Sequence, residues 1–490
     1  MKTVQCKKER KNLSDYVVLF VYALFMLFAL AIIGMGLLSK SVTAAYLATV
    51  AGSLLGFILL FIAAKKSNFH LSRIPTRRQV LFLFILCALI KSLWIYAVRI
   101  EPLIDSRTYY DTAEQLATQP IITNARYIAL FPHLFGYSFF MSIFVKMFGQ
   151  SYALAPILNV AVSILSMLLI YYICGRLLPP GGAACASLLW IFLPSQTISN
   201  MFVLSEAFYT TLLLAAVALM VKVHPYLEKP GLLRAVLFGA AMGAILYLIQ
   251  AVRPIAPILI LSYLIWLFLV DCSIYQNRIR LRNTLALVLC MLPIFAIGTQ
   301  LGNVAIEHRV GEKPASFPGY NIYVGFNQES MGAWNQADGD LLYSYSDREG
   351  WSAQDAQKQM YQEAIQRITS GKIHFAKLFL NKFRVLWGSD DSCISYGEKA
   401  IPNPEVFRVL CNAYYMLLWA FSVLGIWAAM KKRDKSAIFL IVIYMIGLTC
   451  AHMLVEVSSR YHYSGLIAAV MLAGYGLTSI RASKRAAIKQ

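Results

Sequence analysis

The 490-residue chain is short of charge and shorter still of acid: 14% of its residues are charged, and 24 Asp+Glu face 44 Lys+Arg. A water-soluble globular chain carries roughly 25% charged residues, so a soluble enzyme is excluded. An apolar content of 59% excludes a disordered or fibrous chain. Cysteine is sparse and scattered, with nine in all. Cys87, Cys290 and Cys450 fall inside apolar runs, and Cys6, Cys174, Cys185 and Cys272 lie near ends expected to face the cytosol. Only Cys393 and Cys411 are left to face outside, so no disulfide framework is expected. No Cys/His cluster has zinc-ligand spacing, no Gly-rich phosphate loop occurs, and no internal repeat is visible. A long hydrophilic stretch breaks any six-plus-six symmetry, which weakens a transporter or lipid-flippase reading, the alternative from another functional class.

Long apolar runs are what the chain does have. Its mean hydropathy is +0.61, and a helix needs about 20 apolar residues to cross a hydrocarbon core about 30 Å thick. Runs of that kind cover 16–38, 43–64, 79–98, 152–174, 182–200, 202–223, 233–250, 252–271, 284–302, 409–430, 436–455 and 463–480. The expectation is an all-α polytopic membrane protein of about 12 transmembrane helices. The first run is too long for a signal-peptide core and a second follows at once, so it is read as retained.

The run 130–148 is ambiguous, and charge decides it. Left out of the count, the basic clusters at 7–11, 65–78, 278–282, 431–435 and 481–489 all fall on one face. That face then holds about 25 Lys+Arg against about 18, of which about 11 lie in one long loop exempt from the positive-inside rule. Counted as a span, 130–148 would scatter the clusters over both faces. It is therefore read as a helix lying on, or dipping into, the outer face, with both termini cytosolic. The formal charge of +20 then reports topology rather than nucleic-acid binding.

Three regions follow: an N-terminal transmembrane module, 1–302, carrying an outer segment at 99–151; an extracytoplasmic loop, 303–408; and C-terminal transmembrane helices, 409–490. Within the loop, 353–368 reads as an amphipathic helix ended by Ser370-Gly371. Residues 373–387 place His374, Lys377, Asn381 and Arg384 opposite Phe375, Leu378, Phe379, Leu386 and Trp387. That pattern suits a helix in the membrane interface, or one packed on the loop's own core.

Ionisable groups near span ends are functional candidates, because charge is costly in a bilayer. Glu101, Asp105, Arg107, Asp111, Glu114 and Arg126 lie in the first outer segment, and Glu206, Arg253, Glu456, Arg460 and His462 at outer helix ends. Lys91 alone lies within a span, where it could snorkel. Acids and cations thus converge at headgroup level, not at the midplane where a transporter would place them.

Several stretches resemble the GT-C glycosyltransferases, in particular the protein O-mannosyltransferase and lipid A aminoarabinose transferase group. Leu103-Ile104-Asp105-Ser106-Arg107-Thr108-Tyr109-Tyr110-Asp111 resembles that group's first-loop signature. Phe131-Pro132-His133-Leu134-Phe135-Gly136-Tyr137, running on to Met147-Phe148-Gly149, is similar to its proline-bearing juxtamembrane stretch. Leu204-Ser205-Glu206-Ala207-Phe208, Arg253-Pro254 and Arg460-Tyr461 resemble its Ser-Glu, Arg-Pro and Arg-Tyr pairs at outer helix ends. The loop stretch from Gly325 to Asn335 looks like a bacterial subgroup rather than the eukaryotic enzymes.

The resemblance implies juxtamembrane helices in the first outer loop and an active site on the extracytoplasmic face of a bacterial plasma membrane. A sugar would move, with inversion, from a polyprenyl-phosphate donor to a lipid, protein or envelope-glycopolymer hydroxyl, among membrane lipids and with no nucleic acid involved. Such a transfer needs a base and positive charge on the departing phosphate. Asp105 is the expected base, with Asp111 second; Arg253, Arg460 and Arg126, with Tyr461 and His462, are the expected donor-phosphate contacts. Glu206, His133 and Trp334 are expected to orient the acceptor, and Trp334 or Tyr320 could stack on a sugar. No resident metal is assigned, although Asp338 and Asp340 could bind a divalent cation or simply form an Asp-Gly turn.

Overall fold

Apolar segments of about 20 residues must bond their own peptide groups once water is gone, which leaves the helix as their stable form. The computed structural model describes residues 13–37, 43–66, 75–275 and 277–487, and within them every regular element is helical. The cluster at 7–11, Cys6, residues 67–74 of the second cluster and residues 488–489 of the last lie outside the described residues.

The chain opens with α1 (Leu13–Leu37), α2 (Ala44–Lys66) and α3 (Thr76–Ala97). The first expected outer segment holds α4 (Asp105–Thr118), α5 (Ala125–Leu130) and α6 (His133–Phe148). Next come α7 (Leu154–Leu177), α8 (Gly182–Ile191), α9 (Pro194–Ser199), α10 (Glu206–Val223), α11 (Leu232–Val252), α12 (Ala256–Ile265) and α13 (Arg278–Val310). The long loop carries α14 (Gly319–Gly325), α15 (Gln336–Ser346), α16 (Ala353–Thr369), α17 (Phe375–Trp387) and α18 (Ser392–Gly397). The chain closes with α19 (Pro404–Lys432), α20 (Ala437–Leu454), a 3-10 turn at Ser459–Gly465 and α21 (Leu466–Ala487).

Among the described residues, ten helices are long and apolar enough to cross a membrane: α1, α2, α3, α7, α10, α11, α13, α19, α20 and α21 with its 3-10 lead-in. Two expected spans are shorter helices. The run 182–200 breaks between α8 and α9, where Leu193 turns extended ahead of Pro194, as a residue before proline does. The run 252–271 gives α12 and a π-turn at Trp266–Val270, 15 residues or about 22 Å, short of a 30 Å core. Gly239 and Gly243 face the α13 backbone at Leu287 and Met291, where a side chain would collide. They permit the close approach of two apolar helices.

Helix lengths bring the expected site residues to one end of the bundle. The α10–α11 hairpin, of 18 and 21 residues, returns on itself, so Glu206 at the start meets Arg253 just past the finish. Helix α13 has 33 residues, about 50 Å, and its last turn reaches α4. There Arg309 Nη2 donates to Leu116 O and Gln119 O at 2.9 and 2.6 Å. The Ala315 amide donates to Ala129 O at 2.8 Å, and Arg126 bonds Glu312 at 2.5 Å. The segment 99–151 and the long loop therefore share one end.

Candidate active site

Asp105 opens α4, directly after Ile104, whose φ of +49° is rare for a β-branched residue and marks local strain. Arg460 sits in the 3-10 turn before α21, and its Nη2 donates to the Asp105 carboxylate. Glu206 is buried. Its Oε1 lies 3.8 Å from Arg460 Nε and accepts from Arg253 Nη2 at 2.5 Å. Arg253 Nε also donates to Ser205 Oγ at 3.3 Å, which lies 3.4 Å from Tyr109 Oη. The order Asp105, Arg460, Glu206, Arg253 thus alternates acid and base across four distant parts of the chain.

Aromatic rings fix the cations. The Tyr461 ring lies 5.2 Å from the Arg253 guanidinium carbon and 5.6 Å from that of Arg460. Tyr396 lies 5.3 Å from the Arg460 guanidinium. Both are within cation–π range. Tyr461 donates to Glu456 Oε1 at 3.2 Å. Burial pushes the Glu456 carboxyl above its ordinary value, against the pull of Tyr461 and Arg460. Three carboxylates therefore surround two guanidinium groups.

Glu206 and Arg460, with Ser195, Asp390, Tyr396 and His462, line a cleft of about 500 Å³ of free space, its open mouth included. Glu206 Oε2 and Arg460 Nε and Nη1 make no hydrogen bond among the described residues. Burial, reinforced by Arg253 and Arg460, pushes the His133 imidazole down to about 3, so it is neutral at physiological pH. A neutral imidazole beside two guanidinium groups can exchange hydrogen bonds with a ligand without adding charge.

The other expected residues lie elsewhere. Asp111 comes six residues after Asp105, about 240° round α4, and pairs with Arg107 at 2.8 Å on an exposed face. Arg126 is a brace, bonding Glu312 and donating to Trp351 O at 2.8 Å. His462 lines the cleft but is held as a structural group, with Nδ1 2.6 Å from Leu386 O and Nε2 3.0 Å from Asp390. Trp334 is 58% exposed, while Tyr320 is buried against Phe131 in the loop's core. Asp338 already holds a cation, the Arg367 guanidinium at 2.9 Å. Although burial raises its pKa, bonds from Arg367, Asn327 and Asn335 hold Asp338 below the ordinary carboxylate value. Asp340 bonds Gln336. No group of three His, Cys, Asp or Glu among the described residues could hold a metal ion. Lys91 does not snorkel: it is fully buried and donates to Thr197 Oγ1 at 3.1 Å. Arg460 takes Asp105 rather than Glu456 as its ion-pair partner.

The sequence did not point to Tyr396, Asp390 or Lys382. Only Lys382 leaves a trace, a charge within the apolar stripe formed by Leu378 and Leu386.

No protein-family model matches this chain, and no curated protein matches it. Among solved structures it is similar to the archaeal oligosaccharyltransferase AglB from Archaeoglobus fulgidus in complex with an inhibitory peptide and a dolichol-phosphate. The identity is 13% and the TM-score 0.43, over 81% of this chain and 50% of that one. It is also similar to ArnT from Cupriavidus metallidurans bound to undecaprenyl phosphate, at 12% identity and a TM-score of 0.32, over 84% of this chain and 79% of that one. This chain thus spans about half the length of the oligosaccharyltransferase it matches.

Proposed function

We propose that the chain is an integral membrane glycosyltransferase of the GT-C type, moving a sugar from a polyprenyl-phosphate donor to an acceptor hydroxyl on the extracytoplasmic face. The observation that carries this reading is the assembly of Asp105, Arg460, Glu206 and Arg253 into one chain of ion pairs, of which Glu206 and Arg460 line a cleft. A carboxylate that can take a proton stands beside guanidinium groups that can take a phosphate, at one end of a bundle with helices long enough to span a bilayer.

In the proposed reaction the acceptor oxygen attacks the anomeric carbon on the face opposite the phosphate. The bond from carbon to phosphate oxygen breaks, and its electron pair leaves with the polyprenyl phosphate. Asp105, one-third exposed, takes the acceptor proton on the oxygen that Arg460 does not hold. Arg253 and Arg460 neutralise the charge growing on the phosphate, where low dielectric makes each guanidinium count for more. Glu206 keeps the two cations apart and aimed. Tyr461 and His462 shape this site, His462 through Asp390. Asp111, Arg126 and Trp334 take no part in bond making.

The test is sugar transfer in membranes supplied with a polyprenyl-phosphate sugar. Asp105→Asn, which keeps the size and one acceptor oxygen, is expected to lower transfer by about 10²–10⁴-fold, with normal insertion and thermal stability. Undiminished transfer by Asp105→Asn removes Asp105 as the base.

A further inference from the structure

Lys382 lies in the middle of α17, on the long loop, and is fully buried. An ammonium group away from water is strongly disfavoured unless its three N–H donors are satisfied. Here each has a main-chain oxygen: Gly325 O at 2.8 Å, Met453 O at 2.9 Å and Val455 O at 2.8 Å. Gly325 ends α14; Met453 lies in the last turn of α20 and Val455 follows that helix. The last carbonyls of a helix have no partners within it, and a cation there also meets the negative end of the helix dipole.

The surrounding contacts press the same two stretches together. The Glu456 amide donates to Asn321 O at 2.7 Å, and the Val457 amide to Gly332 O at 2.9 Å. A side chain at Gly325 would collide with the Val455 backbone, and one at Gly332, with φ +75°, would meet the Lys382 stem at 2.8 Å. The loop stretch from Gly325 to Asn335 thus gains a physical role: its two glycines let the loop backbone lie against residues 453–457. That linker carries Glu456 and leads directly into Arg460. A methionine would fill the same apolar space, so the ammonium adds direction: it selects which carbonyls turn inward, and so how the linker runs.

We propose that Lys382 is a positioning residue, a tethered cation through which the long loop holds the 453–457 linker and thereby sets Glu456 and Arg460 for a lipid phosphate. The inference rests on the reading above that Arg460 receives that phosphate. The protonated form does the work, because a neutral amine has two N–H donors for three oxygens and turns a lone pair toward the third. Burial pushes Lys382 down to about 7, against the opposing pull of Glu456, so the tether is lost as pH rises through neutrality. The titratable groups that act on Lys382 from the elements packed around it are Glu456 on the linker and His452 on α20.

The test uses the full chain in lipid nanodiscs, read by amide hydrogen exchange and by binding of undecaprenyl phosphate between pH 6 and 9. Lys382→Met is expected to speed exchange at the Glu456 and Val457 amides by about tenfold or more, leaving the α20 interior protected, and to weaken undecaprenyl phosphate binding. Lys382→Arg, which restores several donors, is expected to recover part of both. In the wild-type chain, protection of those two amides and binding fall together above neutral pH; Glu456→Gln keeps that step and Lys382→Met abolishes it. Where Lys382→Met does not fold, the wild-type pH series decides alone. Unchanged exchange and binding in Lys382→Met, or a flat wild-type pH series, overturns the proposal. Failure of the wild-type chain to bind undecaprenyl phosphate at any pH contradicts the lipid-phosphate reading instead, and the exchange data still judge the tether.

Discussion

Two buried ionic clusters occupy opposite ends of the α10–α11 hairpin, and they are built differently. At the far end, Arg280 is 2% exposed and donates to Glu228 and Asp271. His224 Nε2 lies 2.8 Å from Asp271 and 2.7 Å from Arg280 Nη2. Asn283 closes the knot by donating to Leu227 O and Lys229 O at 3.0 and 2.9 Å. These partners lie between residues 224 and 283, so short connections bring them together as soon as the hairpin forms. At the near end, the Asp105–Arg460 pair is separated by 355 positions, and Arg460 lines a cleft with N–H groups that have no hydrogen-bond partner among the described residues. A local, shielded knot holds an architecture together. A long-range, partly open cluster requires most of the fold to exist first, as a site for an external charge does.

Substitutions separate the two roles. The largest expected effect is on stability: Arg280→Met strips the largely buried Asp271, and the exposed Glu228, of their cation and costs about 3 kcal/mol, read as a lower Tm, with undecaprenyl phosphate binding unchanged in the folded fraction. Arg253→Met and Arg460→Met are each expected to cost about 2–4 kcal/mol in undecaprenyl phosphate binding. Equal losses of binding from Arg280→Met would erase the distinction between the clusters.

Acid titration gives a smaller effect. Burial alone would raise the Asp271 pKa, but bonds from His224 and Ser273 and the charge of Arg280 hold it well below the ordinary carboxylate value. A carboxylate depressed in the folded state contributes stability above its unfolded pKa of about 4 and loses that contribution as pH falls. Thermal unfolding of wild type should therefore weaken below about pH 4 more than that of Asp271→Asn; parallel curves would contradict the assignment. The smallest effect belongs to Asp111→Asn. Its ion pair with Arg107 is exposed and screened by solvent, so transfer should stay within about threefold of wild type.

The same contrast explains what could be read from the sequence. Apolar run length located the helices well, because a span must satisfy its own backbone whatever surrounds it. It failed at 182–200 and 252–271, where total hydrophobicity was high but Pro194 and the residues around Arg253-Pro254 broke the helix. Asp105, Glu206, Arg253 and Arg460 were legible as charges at helix ends, and they do meet. Asp111 and Arg126 carried the same signal but belong to a surface pair and a loop brace. Position along the chain does not say which way a side chain points. The amphipathic pattern of 373–387 is real, yet Lys382 lies on its buried face. Its three carbonyl partners come from segments that only the tertiary fold brings near.

The most direct measurement is photo-crosslinking with an undecaprenyl phosphate analogue carrying a diazirine beside its phosphate, followed by peptide mapping. The account predicts labelled peptides containing Arg253 and residues 456–462, with competition by unmodified undecaprenyl phosphate. Label confined to peptides carrying His224, Glu228, Asp271 or Arg280, with none on Arg253 or 456–462, or spread over the apolar helix faces without competition, would contradict it.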